Sequence, residues 1–120
     1  MLMALGFVVP TPALAPTVPS VQYSSSTAPL IIEAYAIHYG IPAEPLKRTL
    51  MCESKLRAGA VGDGGNSYGV AQIHLPSHPT ITKEQALDPL FAIDWTAQQF
   101  AKGKQKMWSC YKTLYGGNSV

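Results

Sequence analysis

The chain is divided by charge. Residues 1–32 contain no Lys, Arg, Asp or Glu, and all nine basic and seven acidic residues lie between Glu33 and Lys112. The uncharged stretch also holds five of the ten prolines (Pro10, Pro12, Pro16, Pro19 and Pro29), interspersed with Ser, Thr and Val. A segment that begins apolar and continues rich in Pro, Ser and Thr cannot bury a packed face, so it reads as an export signal running into an extended linker. Residues 1–9 supply a short hydrophobic region and Ala13-Leu14-Ala15 a small-x-small processing pattern. Against cleavage there, no basic residue precedes the region and Pro16 would follow the cut. Residues 1–28 are therefore expected to be signal and disordered linker, 29–116 a single domain, and 117–120 a short tail.

Several classes drop out at once. A net charge of +2 over 120 residues is too mild to mark a nucleic-acid or anionic-membrane binder. No apolar run approaches the ~18 residues of a spanning helix. With 47% hydrophobic and 13% charged residues, the chain has enough apolar material to fold.

From Ala28 to Tyr115 the pattern is helical. Leu30, Ala34, Ile37 and His38 recur at helical spacing before Gly40, a natural residue for the turn beyond a helix end. Pro42 and Pro45 suit the first turn of a second helix that runs to Ser54 or Lys55. Thr82-Lys83-Glu84-Gln85 fits a capping box. Asp88-Pro89 restarts a helix with Leu90, Ile93, Ala97, Phe100 and Ala101 on one side. Met107, Cys110, Tyr111, Leu114 and Tyr115 mark a last one. Between the second and third helices, five glycines (Gly59, Gly62, Gly64, Gly65 and Gly69) with Asp63, Asn66 and Ser67 make a long turn-rich loop. The expected fold class is all-α, or α+β if that loop holds a minimal hairpin.

A domain of this size is near the limit at which an apolar core suffices alone. Cys52 and Cys110 are either two buried thiols or a disulfide. If joined, they close a loop worth roughly 4 kcal/mol on the chain-entropy estimate. His74 and His78 are four apart, but Pro76 lies between them and no further ligand clusters nearby, so no metal site is expected.

The chemistry centres on Glu53. Leu46, Thr49, Leu50 and Glu53 follow i, i+3, i+4, i+7, so at ~100° per residue a carboxylate continues an apolar stripe near a helix C-terminus. Desolvation and the negative dipole end both disfavour its charge, the condition a general acid requires. The competing reading is a frayed helix end with Glu53 in water beside Lys55 and Arg57. The Gly-rich loop and Tyr68-Gly69-Val70-Ala71-Gln72 follow closely, bringing amides, an aromatic and a carboxamide suited to a sugar. No Gly-Lys-Ser/Thr follows the glycines, which excludes a phosphate-binding P-loop.

Tyr39-Gly40-Ile41-Pro42, the helix ending in Cys52-Glu53-Ser54, and Ser67-Tyr68-Gly69-Val70-Ala71-Gln72-Ile73 resemble the soluble lytic transglycosylases, relatives of goose-type lysozyme. The second half, with Thr82 to Gln85 and Trp108-Ser109-Cys110, resembles the lysozyme-like domain of resuscitation-promoting factors. Together these cover Ala36 to Cys110. The resemblance implies a small lysozyme-like helical domain, with Glu53 as the catalytic acid and Ser54, Tyr68, Gly69 and Gln72 against the glycan. It also implies a Cys52–Cys110 disulfide and an exported, periplasmic, wall-associated or extracellular protein. The implied partner is a peptidoglycan glycan strand, met by a monomer without cofactor. The Ala-Tyr-Asn-Ala-Gly element common among lytic transglycosylases is missing. The family's tyrosine near the acid therefore has only Tyr111 and Tyr115 as positional candidates, and core packing is their competing role. Trp95 and Trp108 are divided in the same way between a sugar groove and the core.

Ordinary glycosidases use two carboxylates. A lytic transglycosylase manages with one, because the C6 hydroxyl of muramic acid attacks the anomeric carbon. Asp63 is the acidic residue of the Gly-rich loop; it either serves an Asp-Gly turn or holds a water for hydrolysis. Three functions stay open on these residues: a lytic transglycosylase, a hydrolysing lysozyme using Asp63, and a non-catalytic wall-binding module.

Overall fold

The structure is a computed structural model that describes residues 22–116. The signal and processing assignments at residues 1–21 and the tail at 117–120 lie outside the described residues. The described chain is helical with a minimal sheet. Helices α1 (Ala28–Tyr39) and α2 (Ala43–Ser54) come first, then strands β1 (Val61–Gly62), β2 (Ser67–Tyr68) and β3 (Ile73–His74). Helices α3 (Lys83–Leu87), α4 (Pro89–Ala101) and α5 (Ser109–Tyr115) follow. The strands pair antiparallel in chain order, with Val61 opposite Tyr68 and Tyr68 opposite Ile73.

Local sequence accounts for the boundaries. Gly40 adopts φ 68°, the left-handed turn open to a residue without Cβ, and Ile41 N–H closes on Ala36 O at 2.9 Å. Thr82 Oγ1 accepts from Gln85 N at 3.0 Å while Gln85 Oε1 accepts from Thr82 N at 2.9 Å, completing the capping box. Asp88 Oδ1 accepts from Leu90 N at 3.0 Å, and Pro89 opens α4 where no N–H is needed.

Helix α1 packs on α2 and α4 around a core that includes Ile31, Ile32, Leu46, Leu50, Val70, Ile73, Ile93 and Phe100. Each such side chain removed from water contributes about 1.5–3 kcal/mol. The inward face of α1 is not the expected one. Ala28, Ile31, Ile32 and Ala36 are buried, whereas Leu30 is 69% and Ile37 79% exposed, with Ala34 and His38 also outside. Apolar residues surround this helix, so periodicity could not choose a side. Tyr39, seven positions after Ile32 and on the same side, donates its hydroxyl to Asp94 on α4. In α4, Ile93, Ala97 and Phe100 are buried as expected, but Leu90 and Ala101 are exposed.

The ordered unit also begins earlier than composition suggested. Tyr23, placed in the linker on sequence, packs on the core and donates its hydroxyl to Leu56 O at 2.6 Å. Thr27 Oγ1 accepts from Ser24 N at 2.8 Å, folding the chain into the start of α1.

Candidate active site

Helix α2 delivers Glu53 to its last turn, on the side that carries buried Leu46, Thr49 and Leu50. The next residues leave the helix abruptly: Lys55 and Leu56 take φ 54° and 62°, two left-handed residues in succession without glycine. Such a conformation costs roughly 1–2 kcal/mol per residue and persists only where surroundings hold it. Here Ser54 Oγ accepts from Leu56 N at 3.1 Å and donates to Val70 O at 2.7 Å, and the Leu56 side chain is buried. Tyr23 holds the Leu56 carbonyl from the other side.

Ser54, expected against the glycan, is thus placed inside the fold. It is 3% exposed, and its hydroxyl is spent tying the end of α2 to the loop. Gly69 has a packing role of its own. It is buried at φ 84°, and a Cβ there would lie 1.9 Å from Ala86 O, so its role is the close approach of the loop to α3. Gln72 Nε2 donates to Ala60 O at 3.2 Å and Gly69 O at 3.0 Å, committing the amide hydrogens inside the loop. The Gly-x-x-Gln spacing thus has a structural cause: Gln72 N–H also closes on Gly69 O at 3.1 Å. Tyr68 remains half-buried, donating its hydroxyl to Gly65 O at 2.6 Å, with Lys83 Nζ 5.1 Å from its ring centre.

The expected disulfide is present. Cys52 and Cys110 are joined with their Cα atoms 5.9 Å apart, fastening α5 to α2. Trp108, one residue before α5, is 5% exposed and donates Nε1–H to Ala71 O at 2.9 Å, which assigns it to the core. Trp95 is half-buried, edge-on to Trp108 at 5.6 Å and to His78 at 4.9 Å. Tyr111 stacks edgewise on Phe100 at 5.6 Å, and Tyr115 lies under the Arg48 guanidinium at 5.9 Å.

These links place Glu53 against the start of α5. The carboxyl is half-buried, and Oε2 accepts from Cys110 N–H at 3.1 Å. Among the described residues, this is the one donor on it, and no tyrosine hydroxyl reaches it. Burial pushes the Glu53 carboxyl above the ordinary carboxylate range, the Cys110 N–H pulls it back, and the charge of Asp63 adds a smaller upward push. Asp63 is exposed, at φ 52°, and its Oδ2 accepts from Ser67 Oγ at 2.5 Å. A cavity of about 330 Å³ opens on the other side of α2, lined by Lys47, Arg48, Met51, Cys52 and Leu114 and not by Glu53. His74 Nδ1 lies 2.9 Å from Ser77 Oγ, and no group of three or more His, Cys, Asp or Glu among the described residues is placed to hold a metal ion. No described helix is long and apolar enough to cross a membrane.

Two features of the site carried no sequence signal. The Cys110 donor is a main-chain amide, and Tyr23 lies in a stretch whose composition is that of a linker. The molecule is thus a small, disulfide-closed helical domain with a protonatable carboxyl at a helix end, facing a Gly-rich sheet loop. Set against known proteins, the chain matches no family model, no curated protein and no solved structure.

Proposed function

We propose that this chain is a peptidoglycan lytic transglycosylase with Glu53 as its single general acid and base. The observation that carries the reading is the Glu53 carboxyl itself, half-buried, raised in proton affinity and backed by one main-chain N–H. In the reaction, Glu53 gives its proton to the oxygen bridging N-acetylmuramic acid and N-acetylglucosamine, and the bond from that oxygen to the anomeric carbon breaks. The C6 hydroxyl of the muramic acid then attacks the anomeric carbon and returns its proton to Glu53, closing a 1,6-anhydro ring. The overall step consumes no water and needs no cofactor.

A hydrolysing lysozyme would need a second carboxylate to position water. Asp63 is near enough to influence Glu53, but its Oδ2 already takes the Ser67 hydroxyl at 2.5 Å, which favours the one-carboxylate route. The disulfide suits an oxidising, exported setting.

Digestion of purified cell walls tests the proposal. Muropeptides carrying anhydro ends, lighter by one water than reducing ends, are expected in the mass spectrum; reducing ends would assign hydrolysis through Asp63. Glu53→Gln is expected to abolish lysis, and lysis retained in that variant would overturn the proposal. Binding of glycan without cleavage by the unaltered chain would leave a wall-binding module.

A further inference from the structure

We infer that the Cys52–Cys110 disulfide is a positioning element for Glu53, keeping the Cys110 main-chain N–H on its carboxyl; the inference rests on Glu53 being the acid. The geometry is short and closed. Cys52 precedes Glu53 in α2, and the bond brings the Cys110 backbone alongside, Cα to Cα 5.9 Å, with the Cys110 N–H donating to Glu53 Oε2 at 3.1 Å.

The disulfide is the covalent tie on that amide, and the other contacts of α5 are peripheral. Helix α5 has seven residues and buries none of them. A helix so short is unstable without tertiary support. Its further contacts are the edge of Tyr111 on Phe100, the stacking of Arg48 on Tyr115, and Leu114 beside Lys47, Arg48 and Met51 of α2. Trp108 is anchored separately, by burial and by its bond to Ala71 O. Opening the disulfide would therefore loosen Cys110 against Glu53 and leave Trp108, two residues before it, in the core. Cys52 is exposed, so a small thiol can reach the bond.

The N–H acts when Glu53 has given up its proton. Charge then appears on the carboxylate, and a donor already in place stabilises it without reorganisation. The charged groups on surrounding elements are Asp63 on the loop, Lys55 and Arg57 beyond α2, and Lys112 on α5. Burial is the larger push against the charge of this carboxyl and Asp63 the smaller, so losing the Cys110 donor leaves both unopposed. Without the donor the acid holds its proton to higher pH and gives it up less readily.

The test compares the full chain oxidised, reduced with a small thiol and capped, and as the Cys52→Ser/Cys110→Ser double variant, with Trp108 fluorescence reporting the folded core. On a soluble uncrosslinked glycan strand, opening the bond is expected to lower kcat about tenfold or more with KM little changed. The alkaline limb of the pH profile should move up by about half a pH unit or more. Reoxidation of the reduced, uncapped chain should restore both. A limb that stays in place or moves down, or a loss that only follows the unfolded fraction, overturns the inference. A 13C NMR titration of the Glu53 carboxyl reads the same coupling without turnover: an upward midpoint on reduction supports it and an unmoved one overturns it. If the oxidised chain cuts no glycan, the enzymatic reading fails and this titration alone decides the coupling.

Discussion

The bundle of α1, α2 and α4 and the region comprising the 54–74 loop and α5 share one apolar core but differ in how much directed bonding they add to it. The bundle is built by undirected burial: Ile31, Ile32, Leu46, Leu50 and Ile93 interlock. The second region shares that core through Leu56, Val70 and Ile73 and adds directed links to main-chain carbonyls. Ser54 ties Val70, Trp108 ties Ala71, Gln72 ties Ala60 and Gly69, and a disulfide ties α5. Burial tolerates small shifts, whereas a hydrogen bond to one carbonyl specifies one position. The difference teaches where accuracy is needed: the carboxyl of Glu53 sits where the directed links converge.

The contrast can be broken most severely at Gly69. Gly69→Ala would bring a methyl onto Ala86 O in a left-handed conformation, and a loss of about 4 kcal/mol or more is expected in urea unfolding. A loss under about 1 kcal/mol would mean that the loop moves freely over α3.

Next comes the inward face of α1. Ile32→Ala should cost about 2–5 kcal/mol, whereas Ile37→Ala, at a position 79% exposed, should stay within about 0.5 kcal/mol by the same unfolding measurement. Equal costs would contradict the helix orientation.

The smallest expected effect concerns pH. Because the folded state raises the proton affinity of Glu53, the native state binds more protons than the unfolded one just above the ordinary carboxylate range. Stability from this group is therefore present at low pH and lost as pH rises through its folded value. Thermal midpoints of Glu53→Gln should match the unaltered chain in acid and run slightly higher at neutral pH. A variant that is less stable at neutral pH would show that Glu53 is held as a favourable anion.

Much of the bundle was legible because its signals are local. The capping box at Thr82 and Gln85, the Asp88-Pro89 start, the Gly40 stop and the extent of α2 each depend on residues within one turn. The side of α1 was not legible: Leu30/Ile37 and Ile31/Ile32 are both apolar, and the choice is made by packing against α2 and α4. At the site, the carboxyl and its apolar stripe could be read from spacing. The roles of Ser54, Gly69 and Gln72 could not, because polar side chains suited to a sugar are equally suited to loop carbonyls, and which partner they take depends on distance in space.

From its own order of residues, then, this chain determines where helices begin and end, which segment must turn on glycine, and that an acidic group closes an apolar stripe. Those follow from backbone sterics and periodicity, which act over a few residues. Only the tertiary structure decides that Tyr23 belongs to the fold, that Trp108 is core, and that the amide of Cys110 meets Glu53. Each of these joins groups more than thirty positions apart, and such meetings are set by how packed elements share space.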